Sequence, residues 1–175
     1  NLAIRIVHFP LHLETPEAGQ SLEQLFAGRN IDVARMQQHM AAVMRAEGLE
    51  YGERTMTYNS HRAQQLAAWA VTQPGGAAIH EALFAAYFVD NVNLARIDDL
   101  VDIAAGVGLD TDRAREVLRS RRYREAVSAD WDRSRQLGVT GVPTYRIGGV
   151  EAVGAQPYEV LAKLAQEAGA QQHRQ

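Results

Sequence analysis

The feature that most constrains this chain lies in its last third. There Gly138-Val139-Thr140-Gly141-Val142-Pro143-Thr144-Tyr145 runs through Arg146-Ile147 and Gly148-Gly149 into Val150 to Val153. Two short runs of alternating character separated by Gly-Gly predict a β-hairpin, because both turn residues can take positive φ without steric cost. The Val142-Pro143 bond sits just before the first of these strands, so a rigid loop delivers the chain into the hairpin. Pro157 then sits where it can open a helix at its first position, and Val160, Leu161, Leu164 and Ala165 give that helix one apolar stripe.

A second β signal stands at the other end of the chain. Leu2, Ile4 and Ile6 alternate with Ala3, Arg5 and Val7, which predicts a strand over Leu2 to Val7. Pro10 and Pro16 keep the following residues extended. Between the two β regions the period is helical. Ser21 caps a short helix to Ala27, and Asn30 caps a longer one whose stripe is Ile31, Ala34, Met36, Met40, Val43 and Met44, ending at Gly48. Ser60 precedes Ala63, Leu66, Ala67, Ala70 and Val71, up to the turn Pro74-Gly75-Gly76. Ile79, Leu83, Phe84, Tyr87 and Phe88 follow, and then Ile97, Leu100, Val101 and Ala104. Asp110 caps a helix through Leu118, and Ser120 caps the next, which reaches Gly138. About 110 residues of helix exceed any ordinary crossover between strands, so the helices are expected to form an insert in a sheet fold.

Composition excludes several function classes. Hydrophobic residues make up 46% of the 175, enough for a real core. A formal charge of -3 and a pI near 6.1 supply no general attraction to nucleic acid or anionic lipid. No apolar run approaches the ~20 residues of a membrane helix, so neither nucleic acid nor membrane is an expected partner. One basic run, Arg119, Arg121, Arg122 and Arg124 around Tyr123, could bind an anion; Glu116, Glu125, Asp130 and Asp132 nearby make a solvated helix face the expected reading. His8 and His12 are separated by Pro10, while His39, His61 and His80 occur singly, so no metal site is expected. The sequence contains no phosphate-binding Gly-rich loop, Rossmann fingerprint or Gly-X-Ser-X-Gly elbow, and no cofactor is expected. Trp69, Phe84, Tyr87, Phe88 and Trp131 could line a pocket, but their helical spacing assigns them to the core.

The Gly-Val-Thr-Gly-Val-Pro-Thr loop, its Gly-Gly hairpin and Gly154-Ala155-Gln156-Pro157 resemble the cis-proline loop of thioredoxin-fold proteins, in particular the DsbA-like oxidoreductases of the FrnE type. Asn59-Ser60 with Ala63 and Leu66, and the run Leu83-Phe84-Ala85-Ala86-Tyr87-Phe88, resemble segments of that family's helical insert. Ala63-Gln64-Gln65 departs from the family's Ala-His-Arg, and the shifted His61 is no substitute for its histidine. The resemblance implies an α/β thioredoxin-like fold with a large all-helical insertion. Residues 1–20 and 138–175 would form the thioredoxin-like domain and 21–137 the insert. It also implies that Val142 offers its backbone N–H and C=O to an extended substrate strand, that Val142-Pro143 is cis, and that Pro143 and Thr144 shape the same substrate-binding loop.

The family works through a Cys-X-X-Cys pair, and this chain has no cysteine. Within the family a strand, the Cys-X-X-Cys turn and its helix precede the strand that Leu2 to Phe9 matches. Residue 1 is Asn, and the β pattern begins one residue later. The expectation is therefore that the first strand and the active-site helix lie before Asn1, and that no catalytic residue is present in these 175 residues. The leading function is thiol–disulfide exchange with a protein or small thiol or disulfide, glutathione among them, in the cytoplasm. Two alternatives stand beside it. One is a glutathione-dependent isomerase resembling the 2-hydroxychromene-2-carboxylate isomerase and kappa-type glutathione transferase group, which commonly carries an aromatic-Gly and then Asp-Arg after its hairpin, where this chain has Val153-Gly154-Ala155-Gln156-Pro157. The other is a redox-inactive thioredoxin-like binding module. Oligomeric state is not legible in the sequence.

Overall fold

The computed structural model describes residues 2–171. Among them the chain forms eight α-helices and four short strands. In chain order these are β1 (Gln20–Ser21), α1 (Leu22–Leu25), α2 (Val33–Ala46), β2 (Met56–Thr57), α3 (His61–Ala70), α4 (Ile79–Phe88), α5 (Ile97–Gly106), α6 (Thr111–Ser120), α7 (Arg124–Gln136), β3 (Thr144–Ile147), β4 (Val150–Val153) and α8 (Tyr158–Glu167). The described residues divide into two compact units, one of 2–11 with 128–171, the other of 12–127. No helix among the described residues is long and apolar enough to cross a membrane.

The 12–127 unit is built on α3 to α6. Leu66, Ile79, Leu100 and Leu118 are fully enclosed there, with Trp69, Val101 and Val117 around them. Ala63, Ala67 and Ala70 of α3, Ala104 of α5 and Ala114 of α6 are also buried. Small side chains on facing helices let the backbones approach, and large ones fill the remaining space. Capping follows the local sequence. Ser21 and Gln24 form a reciprocal capping box at α1, and the carboxylates of Asp32 and Asp110 accept the N3 backbone N–H of α2 and α6. At α3 the residue before Ser60 does this work: Asn59 Oδ1 accepts the His61 N–H at 3.0 Å, and Asn59 Nδ2 donates to the Thr15 carbonyl at 2.8 Å.

A two-residue ladder, β1 against β2, pairs Gln20 with Thr57 and Ser21 with Met56. It is tied to α4 through the Tyr87 hydroxyl, which lies 2.8 Å from Thr57 Oγ1 and accepts from Arg54 Nη2 at 2.9 Å. The same guanidinium stacks 4.2 Å from the Tyr87 ring centroid.

In the other unit, β3 and β4 pair in the expected register, Thr144 with Val153 and Ile147 with Val150. Gly148 and Gly149 both take positive φ, 54° and 91°. Arg146 and Glu151 are directly opposite one another and ion-paired at 3.2 Å. Helix α8 packs on β4 and buries Leu164.

Several sequence expectations need correction. Leu2 to Val7 is not a strand and shares no sheet with the hairpin, and the described residues contain two separate two-stranded sheets. Alternation selects an extended backbone, but a strand exists only where a ladder forms; among the described residues none pairs with residues 2–7, and Ile4 is left 83% exposed. The α2 stripe contributes no fully buried residue: Ile31, Ala34, Met40 and Val43 are exposed, and Met36 and Met44 are half-buried. Helix α1 stops at Leu25, and α2 is capped by Asp32 rather than Asn30, a shorter turn doing the same chemistry. Ser120 ends α6 instead of capping α7, since Arg121 takes a left-handed conformation (φ 53°) that interrupts the helix. Phe84 is 60% exposed and does not belong to the core, whereas Trp69 does.

Candidate functional site

The loop that the sequence singles out is anchored at both ends. Helix α7 closes with the N–H of Gly138 on the Arg135 carbonyl (3.0 Å) and that of Val139 on the Ser134 carbonyl (3.0 Å), with Gly138 at positive φ (72°). At the far end the Gly154 N–H donates to the Pro143 carbonyl at 2.8 Å, and Gln156 Nε2 donates to the Val153 carbonyl at 2.6 Å. Inside the loop, the Thr144 hydroxyl donates to the Gly141 carbonyl at 2.7 Å. The Val142-Pro143 peptide is cis.

Val142 is the exception in this network. Among the described residues neither its N–H nor its C=O is hydrogen-bonded, and the residue is 46% exposed. Backbone polar groups are normally paired within the fold or hydrated, and the Val142 pair, one residue from a strand, is left open to solvent. Thr144 and Pro143 carry the bonds that hold this geometry, and Val142 carries the open ones.

The same unit contains a polar cluster that sequence reasoning did not connect. Asp130, on α7, accepts from the His8 backbone N–H at 3.2 Å, lies 2.8 Å from His8 Nδ1 and pairs with Arg5 at 3.5 Å. The His8 and Asp130 side chains are mostly buried, 11% and 16% exposed. These contacts span 122 positions of sequence and leave no local pattern to read. They anchor a segment whose residues 2–7 make no backbone ladder. Asp130→Ala should therefore cost about 1–3 kcal/mol by leaving two His8 donors unpaired, whereas Asp130→Asn, which keeps an acceptor, should cost less. Urea denaturation checks the size, and faster hydrogen exchange at the His8 amide checks the cause.

The other histidines are scattered. His39 is exposed on α2, and His80 is half-buried on α4. Burial, and then the charge of Arg29, push His12 below the ordinary imidazole value. His61 is lowered by burial, and then by Arg124 and Arg121. No group of three or more metal-ligating side chains occurs among the described residues.

A family model for the DSBA-like thioredoxin domain matches residues 1–166. The chain belongs to that family. Among solved structures, this DsbA-like domain is similar to one from Streptomyces coelicolor named as a probable DsbA oxidoreductase, at 29% identity and a TM-score of 0.75, over 90% of this chain and 71% of that one. A provisionally named protein disulfide isomerase from Nitrosomonas europaea shares the fold at 19% identity and a TM-score of 0.60, over 77% of this chain and 72% of that one. No curated protein matches by sequence. The family is of thiol–disulfide oxidoreductase type, and the fold is a helix-rich, thioredoxin-like α/β fold with a helical insertion. The 175 residues contain no cysteine.

Proposed function

We propose that this DsbA-like domain is the substrate-docking part of a thiol–disulfide oxidoreductase of the FrnE type, whose catalytic Cys-X-X-Cys turn precedes residue 1 in the intact protein. The observation that carries the reading is the open N–H and C=O of Val142 in a loop otherwise fixed by its own hydrogen bonds. An extended substrate backbone would gain two hydrogen bonds there without reorganising Pro143 or Thr144, which keeps the ordering cost of binding low. In the exchange itself, a thiolate of the enzyme attacks one sulfur of a substrate disulfide. An enzyme–substrate disulfide forms, and the second substrate sulfur leaves as a thiolate. The enzyme's second thiolate then attacks the mixed disulfide, releasing reduced substrate and leaving the enzyme pair oxidised.

The absence of cysteine favours one rival, a binding module that keeps the docking edge without redox chemistry. Two measurements separate the readings. The first is the Val142 amide signal of the 175-residue chain, titrated with an extended peptide whose thiols are blocked. The second is reduction of insulin disulfides by the intact gene product. Peptide-dependent shifts at Val142 with exchange activity support the oxidoreductase. Shifts without activity favour the binding module, and an amide at Val142 that does not respond to peptide sinks both.

A further inference from the structure

The basic run at the α6–α7 junction is the solvated face that the sequence suggests, with Arg119, Arg121, Arg122 and Arg124 all exposed, but one of its members is drawn into a contact from outside the run. Of the nearby acids, Asp130 is engaged by Arg5 and His8, and Asp132 by Arg135. Among the described residues, the one carboxylate ion-paired with the run is that of Glu17, on the turn before β1. Its Oε1 meets Arg121 Nη2 at 3.5 Å, and its Oε2 meets Arg62 Nη1 of α3 at 3.1 Å. A single carboxylate thus spans two guanidinium groups brought together from α3 and from the junction.

The two sides of this contact are built differently. Arg62 is held by the fold: its side chain is 22% exposed, Nη1 also donates to the Ala95 carbonyl at 2.9 Å, and its buried Nε–H has no acceptor among the described residues. Glu17 is 58% exposed. Arg124, which begins α7, makes no ion pair among the described residues. Burial, and then the charges of Arg124 and Arg121, lower the pKa of His61 at the first position of α3, so both arginines lie close enough for its ring to report on them.

We propose that this junction is an oxyanion site: Arg62 and Arg121 take a carboxylate or phosphate group of a small ligand, and Glu17 is the placeholder that the ligand displaces. Guanidinium forks suit planar or tetrahedral oxyanions, Arg62 is already fixed by the Ala95 carbonyl while the half-exposed Arg121 can adjust, and an exposed carboxylate on a turn is released at little cost. The site is independent of thiol chemistry.

The test uses the 175-residue chain with inorganic phosphate and, separately, succinate, against chloride at equal ionic strength. Amide shifts of Arg62 and Arg121 are followed together with the titration midpoint of the His61 ring. Phosphate, succinate or both should act saturably where chloride does not, and should raise the His61 midpoint by neutralising the arginine field. The ligand that succeeds identifies the oxyanion class. Glu17→Gln should tighten binding by about three- to fivefold, the scale of the weak exposed ion pairing that the ligand no longer has to break. Arg121→Gly, which suits the positive φ there, should weaken binding at least about tenfold, the loss expected for one charge-assisted contact. If Glu17 served only the fold, its removal would leave affinity unchanged or lower it. Either result, or shifts that chloride reproduces, overturns the proposal.

Discussion

Gly76→Ala should cost the helical unit about 3 kcal/mol or more, the upper end of what overpacking does to a folded chain. A Cβ at this position would lie 1.7 Å from the Ala70 carbonyl oxygen and 2.5 Å from its carbon. These are backbone atoms at the end of α3, in a fully buried residue, so no rotamer change relieves the overlap. Accommodation would require the Pro74-Gly75-Gly76 turn to move off α3, which takes Ile79 and the start of α4 with it. The result would be a lower urea midpoint with near-native slope, or an unfolded chain. Gly106→Ala is the control. It ends α5, and a Cβ there meets nothing within 4 Å, so the same change should be neutral or mildly stabilising through the helix preference of alanine. Equal effects at both sites would mean that close approach is not why Gly76 is glycine.

How much was legible in the sequence depended on how local the cause was. The hairpin was readable residue for residue, because the Gly148-Gly149 turn and the strands on either side specify their own pairing. Asp110 and Ser21 cap as expected for the same reason: a side-chain oxygen reaches an N–H three residues ahead. The failures share a different feature. Leu2 to Val7 has the alternation of a strand and α2 has the stripe of a packed helix, but periodicity reports which face is apolar and says nothing about whether a partner covers it. The β1–β2 ladder spans two residues on each side, too short for any periodic signal, and depends on Tyr87 from α4.

The candidate site divides along the same line. Val142, Pro143 and Thr144 were singled out from the loop motif and a family resemblance, and the structure adds which of their groups are hydrogen-bonded and which are open, which sequence cannot show. The Asp130 contacts with His8 and Arg5, and the convergence of Arg62 and Arg121 on Glu17, join residues far apart in the chain. The basic run was visible as charge. Its state was not, since Asp130 and Asp132 are engaged elsewhere and the carboxylate that pairs with Arg121 comes from the turn before β1.

Leu66→Ala should be the most costly cavity in the chain, at about 3–5 kcal/mol. Leu66 is completely enclosed, and its cluster includes Ala63, Ala67 and Ala70 from its own helix and Ala104 and Ala114 from α5 and α6. Alanines have no rotamers with which to fill a void, and the helices that carry them already pack closely. The space left by three carbon atoms and their hydrogens would therefore stay largely open, and the cavity term would add to the loss of apolar burial. Leu49→Ala removes the same atoms from a residue that is mostly exposed, and should change stability by less than about 0.5 kcal/mol. Urea denaturation of the two variants measures the difference, and hydrogen exchange locates it: protection should fall across α3 to α6 for Leu66→Ala alone. A cost below about 1 kcal/mol would show that the helices can collapse around the vacancy, and that the alanine-lined packing of α3 is looser than its burial indicates.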